Sequence, residues 1–255
     1  MITVVIPVRM ASTRFPDKPL AMIAGLPMVE HVRRRAQLAH GVDSVVVATC
    51  DESIRKAVEF FGGSVVMTSD AHQRGTDRVC EAMGSLKDEV VVMVQGDEPM
   101  LIPDTISQLI TPLRAAASLL TANLLSTLEA SDLPNADVVK AVCDQSGNVI
   151  YLTRSPVPTF RRESVVPVHK QTGIIAFRTE FLRRMVAMPE TPLEHAESVD
   201  MLRALENGVR IAGVLTPHNT IGVDRPADVA LVEAALRDDP TQRALHRQVM
   251  DRKAR

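Results

Sequence analysis

Aromatic side chains are scarce. Trp is absent, Tyr occurs once, and aromatics make up 3% of the 255 residues, so stacking platforms for single-stranded nucleic acid are not expected. Charge leans to neither sign. The 29 Lys and Arg against 31 Asp and Glu leave a net charge of −2, which favours neither nucleic acid nor an anionic membrane. Cysteine is rare as well: Cys50, Cys80 and Cys143 lie far apart without CxxC spacing. That pattern predicts buried thiols in a reducing compartment. No apolar run approaches the roughly 18 residues of a membrane span, and Arg9 ends the first apolar stretch too early for a secretory leader. A cytoplasmic protein with no nucleic-acid or membrane partner is expected.

Familiar catalytic signatures are missing too. The chain has no GxxxxGK[ST] phosphate loop, no GxGxxG dinucleotide fingerprint, no HExxH and no GxSxG elbow. His31, His40, His72, His169, His195 and His218 show no metal spacing and read as surface or capping residues.

What is present is a strand and helix alternation. Residues 3–8, 44–50, 63–69 and 89–99 carry β-branched runs expected of buried parallel strands. Helical patterns at 27–39, 51–62 and 75–86 separate them, the second with Asp51 as N-cap. This β-α-β-α-β-α-β order predicts an α/β fold, a mostly parallel sheet with helices on both faces. In the second half, strands are expected at 118–125, 137–144, 171–178 and in "VRIAGVLTP", and the stretch "VIYLTRSPVP" is broken by Pro156 and Pro158. Helices are expected at 191–208, closed by Gly208, and at 225–237. One domain over 1–255 is expected, with a sub-region at 150–190 and a basic tail that is either a solvated helix end or disordered.

Three clusters carry chemistry. "PVRMASTRFPDKPL" (7–20) follows the first strand with Arg9, Ser12, Thr13, Arg14 and Lys18. Such a loop either neutralises a polyphosphate or is a solvated basic turn. "VQGDEP" (94–99) sets Asp97 and Glu98 at a strand tip, where hard oxygens suit Mg²⁺, or where an acidic turn simply faces water. In "GVDRP" (222–226), Asp224 is either a helix N-cap or a second metal carboxylate. Arg78 in "HQRGTDR" (72–78) is a ligand contact or a surface residue.

These motifs, with "LTRSPVP" and "PLEHAESVDMLRAL", resemble in order those of the 3-deoxy-manno-octulosonate (Kdo) cytidylyltransferases over residues 3 to about 236. The resemblance implies a nucleotide-diphospho-sugar transferase-like fold and transfer of CMP from CTP to an acidic acceptor, Kdo or a Kdo-like sugar acid, with release of pyrophosphate. It implies Mg²⁺ as cofactor, a role in lipopolysaccharide biosynthesis and a homodimer, with the faces at 191–205 or 171–178 as candidate interfaces. By the same analogy Arg9, Lys18 and Asp97 are catalytic. Arg9, Ser12, Thr13, Arg14, Lys18 and Gln95 bind CTP, Gln95 near the cytosine, and Asp97 and Asp224 hold the metal. Arg78, Arg154, Gln171, Ile175, Glu194 and His195 face the acceptor. Three of these depart from the family pattern: Gln171 stands for His, Ile175 for Tyr and His195 for Gln. The departures leave a phosphonate or other small acid as an alternative acceptor, and a silent nucleotide-binding protein as an alternative of another class.

Overall fold

The computed structural model describes residues 1–11, 15–84, 88–159, 161 and 168–251. Cα packing divides the chain into two compact units, Met1–Ser107 with Thr220–Arg255, and Gln108–Asn219. The 150–190 stretch lies in the second.

The first unit opens with β1 (Ile2–Pro7), buried at every position. After the loop come the short hairpin strands β2 (Met22–Ile23) and β3 (Leu26–Pro27), then α1 (Met28–Ala36). Next are β4 (Ser44–Thr49), α2 (Glu52–Phe60), β5 (Ser64–Met67), α3 (Gly75–Met83) and β6 (Val90–Val94). β1 pairs in parallel with β4 on one side and β6 on the other, and β4 pairs with β5. The strand order β5-β4-β1-β6 therefore reverses direction at β1, and the loops after β1 and β6 flank the crevice where open α/β sheets bind ligands. Continuous apolar runs make this possible, because parallel strands covered on both faces tolerate few polar side chains.

The helix α4 (Pro103–Ala115) carries Pro112 near its end, which interrupts the periodicity that would announce it. In the second unit follow β7 (Thr121–Thr127), β8 (Lys140–Cys143), β9 (Asn148–Thr153) and β10 (Val168–Arg178). Then come α5 (Thr179–Ala187), α6 (Pro192–Glu197), α7 (Met201–Glu206) and β11 (Ile211–Leu215). Pairing here is mixed. β11 runs parallel to β7, while β10 is antiparallel to β7 and, through Val168–Lys170, to β8.

The helix expected over 191–208 is two helices. Ser198 takes a left-handed φ of 53° between them, and the Arg154 guanidinium takes the Glu197 carbonyl that a continuing helix would use.

The chain returns to the first unit with α8 (Pro226–Asp238) and α9 (Pro240–Asp251). The basic tail expected as a solvated helix end is, through Asp251, part of α9, which is packed rather than solvated and buries Gln242 and Val249. It docks on α1, whose Arg34 and Arg35 donate to Val249 O and Gln242 Oε1, each at 2.8 Å. His31, expected at the surface, is fully buried beneath α9 and stacks on His246 at 5.6 Å between ring centroids. Asp51 does precede α2 as its N-cap, but its carboxylate accepts the Met10 amide at 2.8 Å rather than capping the helix. The three cysteines are free and half-buried rather than buried.

Candidate active site

The loop after β1 and the turn after β6 meet through Lys18. Its ammonium donates to Asp97 Oδ2 at 2.7 Å and to Val223 O at 2.9 Å, and lies 3.6 Å from Asp224 Oδ1. The turn exists because Gly96 lacks a side chain: a Cβ there would fall 2.0 Å from Val8 Cγ1. Backbone holds the third partner in place. Val223 N donates to Asp97 O at 3.0 Å, which sets Asp224 beside Asp97 although 127 residues separate them in sequence (224 minus 97). The capping role open to Asp224 falls to Asp228, whose carboxylate accepts the amides of Asp224 and Arg225, both at 2.8 Å. Lys18 and Asp97 share a cavity of ≈ 360 Å³ with Arg9, Gln95, Met28 and Pro7.

Arg9 is exposed, and its Nη1 donates to His72 O at 3.4 Å. Gln95 follows β6 against the start of α3, where a Cβ on Gly75 would come within 3.0 Å of its Nε2. Glu98 lies in the same turn, its carboxylate 3.2 Å from Thr220 Oγ1. Arg78 is not the surface residue its loop suggests. It is 3% exposed, donates to Thr68 Oγ1 and Ser69 O, and its Nη2 is buried with no partner among the described residues. Ser12, Thr13 and Arg14 lie outside the described residues.

The second unit holds the remaining expected acceptor residues. Gln171 and Ile175 come together at Asn123: Gln171 Nε2 donates to Asn123 Oδ1 at 2.6 Å, and Ile175 is the strand partner of Asn123. Glu194 is fully buried, with its oxygens on Arg203 at 2.6 and 2.7 Å. His195 is exposed, its Nδ1 3.5 Å from Glu190. Arg154 Nε donates to Glu197 O at 2.8 Å, and its Nη1 reaches Ala136 O and Asp137 O.

Three residues here had no role in the sequence reading. Burial pushes the Glu197 carboxyl up, but hydrogen bonds from Thr153, Arg154 and Tyr151 outweigh it and hold the group below the usual carboxylate range. Lys140 is fully buried and donates to three carbonyls, those of Asn135, Val138 and Arg154. Desolvation lowers its pKa. Asn123 is fully buried in β7. Lys140 and Asn123 were visible as lone polar residues inside apolar runs. Glu197 was not, because a helical Glu ordinarily faces water.

The family model described as cytidylyltransferase matches residues 3–211. This chain belongs to that family. Among curated relatives, the 3-deoxy-manno-octulosonate cytidylyltransferase of Pelobacter propionicus is 45% identical over 240 residues, 89% of this chain and 94% of its own. The protein of the same name from Myxococcus xanthus is 47% identical over 236 residues, covering 91% and 95%. A solved structure of CMP:2-keto-3-deoxy-manno-octonic acid synthetase complexed with CTP aligns with a TM-score of 0.89 at 36% identity, over 93% of this chain and 99% of that one. A 4-diphosphocytidyl-2C-methyl-D-erythritol synthase from Anaerococcus prevotii shares the fold at a TM-score of 0.63 and 14% identity, over 92% and 98%. The cytidylyltransferase membership thus agrees with the order of motifs along the chain.

Proposed function

We propose that this cytidylyltransferase transfers CMP from CTP to 3-deoxy-manno-octulosonate or a closely similar sugar acid, releasing pyrophosphate. The observation that carries the reading is the Lys18 ammonium gathered by Asp97 and Asp224 beside a cavity that Arg9 and Gln95 line. The relatives named for this reaction, at 45% and 47% identity over most of both chains, support it.

In this reading an acceptor oxygen bonds to the α-phosphorus of CTP as the bond to the β-phosphate oxygen breaks. The step needs in-line positioning and charge stabilisation rather than a protein nucleophile. Arg9 and Lys18 offset the charge that grows on the departing pyrophosphate, and Gln95 stands ready to bond the base edge. Asp97 and Asp224 fit Mg²⁺. They are hard oxygen donors from separate loops that already converge on one cation. Among the described residues no group of three or more His, Cys, Asp or Glu forms a metal cage, and Mg²⁺ commonly takes only one or two carboxylates beside phosphate oxygens. When bound, the ion would supply neutralisation of phosphate charge. The reading places the enzyme in the cytoplasm as a homodimer serving lipopolysaccharide biosynthesis, as the motif resemblance implies.

Pyrophosphate release from purified protein with CTP and Mg²⁺ tests the proposal, with Kdo compared against phosphonates and smaller carboxylates and EDTA as control. Turnover with Kdo that EDTA abolishes is expected. Turnover only with a phosphonate or small acid would replace the acceptor, and turnover unaffected by EDTA would remove the metal role from Asp97 and Asp224.

A further inference from the structure

The ammonium of Lys18 is fully engaged. Of its three N–H groups, one goes to Asp97 Oδ2 at 2.7 Å and one to Val223 O at 2.9 Å, and the third is drawn toward Asp224 Oδ1 at 3.6 Å. A Lys18 that offsets charge on departing pyrophosphate needs those N–H groups back. Lys18 is also more enclosed than its acidic partners, its side chain 15% exposed against 35% for Asp97 and 49% for Asp224. An ion arriving from solvent therefore reaches the carboxylates more readily than the ammonium that joins them.

The same two carboxylates are the residues that fit Mg²⁺. Two cations drawn to one pair of carboxylates repel each other, and the pair without any cation repels itself. Lys18 and a divalent ion thus exchange at this position rather than share it. The released side chain has somewhere to go. Lys18 lines the same cavity as Arg9, and its flexible four-carbon stem can swing a point charge while the backbone stays still. That backbone is held, since Pro19 is buried and Leu20 N donates to Asp17 O at 2.9 Å.

We infer that Lys18 is a placeholder cation: it holds Asp97 and Asp224 together until a divalent ion takes its position, and only then is it free to meet phosphate. This rests on the proposed metal role of Asp97 and Asp224. It deepens that reading by coupling entry of the ion to release of the phosphate-binding ammonium.

Three measurements on the full chain without nucleotide test it, none of them reading turnover. Mn²⁺ binding, followed by EPR of the free ion, should be tighter by about tenfold or more in Lys18→Met, the factor expected when a competitor fills the site about nine-tenths of the time. Equal or weaker binding overturns the placeholder and leaves the metal role standing. In protein labelled with ε-¹³C lysine, the Lys18 signal, assigned by its absence in Lys18→Arg, should move as Mg²⁺ is added. A signal that stays while the ion binds overturns the exchange even if Lys18→Met binds more tightly, because loss of a nearby charge alone would then explain the affinity. Should Lys18→Met be unstable, Mg²⁺ is expected to raise its melting temperature more than that of the wild type, since the ion replaces the missing cation. An instability that Mg²⁺ leaves uncorrected overturns the placeholder as well. Adding Asp97→Asn to Lys18→Met should remove the Mn²⁺ site. Binding that survives it, or Mn²⁺ bound by neither protein, overturns the placeholder together with the metal role, while pyrophosphate release from CTP still decides the transfer reading.

Discussion

Lys18 and Asp97, 79 residues apart in sequence, form a 2.7 Å ion pair at the crevice beside β1, and Asp224 approaches the same ammonium to 3.6 Å. One cation thus relieves the repulsion of two carboxylates brought together from the ends of the first unit's chain. The arrangement makes the Lys18 position the point on which charge at the site turns.

Lys18→Met is expected to lower turnover by about 10²-fold or more, the scale of losing one charge-stabilising donor. Lys18→Arg should restore little, because a planar guanidinium cannot reproduce a point charge shared among Asp97, Val223 O and Asp224. Steady-state pyrophosphate release checks both variants. Near-wild-type rates in Lys18→Met would move the phosphate site elsewhere.

Asp97→Asn separates an enzyme from a silent nucleotide binder. Turnover should collapse while calorimetric binding of CTP without added metal persists. A protein with no measurable turnover before or after the substitution, yet with CTP affinity, would be the binder.

Gly96→Ala should destabilise the first unit by about 1–3 kcal/mol, as overpacking does, because the new Cβ would lie 2.0 Å from Val8 Cγ1. Relief of that clash must displace the turn that carries Asp97, so activity should fall as well. Urea denaturation and pyrophosphate release read the two effects; a variant unchanged in both would mean Val8 repacks freely.

Glu194 and His195 are neighbours with different expected fates. Glu194→Ala leaves Arg203 buried without its carboxylate and should cost about 3–5 kcal/mol. His195→Ala, at an exposed side chain, should stay within about 0.5 kcal/mol. Thermal or urea melts compare them. Equal, small effects would show that the Glu194–Arg203 pair contributes little to stability.

Acid should loosen the α1–α9 contact. Burial, with smaller contributions from Arg35, His246 and Arg34, lowers the His31 pKa from 6.5 to about 4. Its Nε2 donates to Ile23 O at 2.7 Å, which leaves Nδ1 unprotonated and buried with no partner among the described residues. His246 is shifted the same way by burial and by Arg35. Between pH about 6.5 and about 4 the unfolded chain carries a proton at His31 that the folded one refuses. Stability present above that window should therefore fall by about 1.4 kcal/mol per pH unit within it. Urea melts from pH 7.5 to 5 should show the slope, and His31→Phe should flatten it. An unchanged slope in that variant would place the acid sensitivity elsewhere.

Much of the first unit was readable because its signal is local. β1, β4 and β6 are apolar runs that can only be buried strands, and the loop rich in Arg and Lys follows β1 directly in the chain. The second unit was harder. The break at Ser198 follows no local cue, since the periodicity of 191–208 suits a single helix, and only Arg154, arriving from β9, removes the carbonyl that helix would need. The burial of α9 was equally hidden, because its basic residues mask a face that packs on α1.

By itself the sequence determined the strand and helix alternation, the loop that can meet phosphate and the carboxylates at the strand tips, because hydrophobic period and turn chemistry act over a few residues. Tertiary structure alone decided that Asp97 and Asp224 share one cation, that Glu194 belongs to Arg203 and that Gln171 donates to Asn123. Each of those depends on which distant segments are brought within about 3 Å of one another, the range of a hydrogen bond. No local pattern encodes that distance.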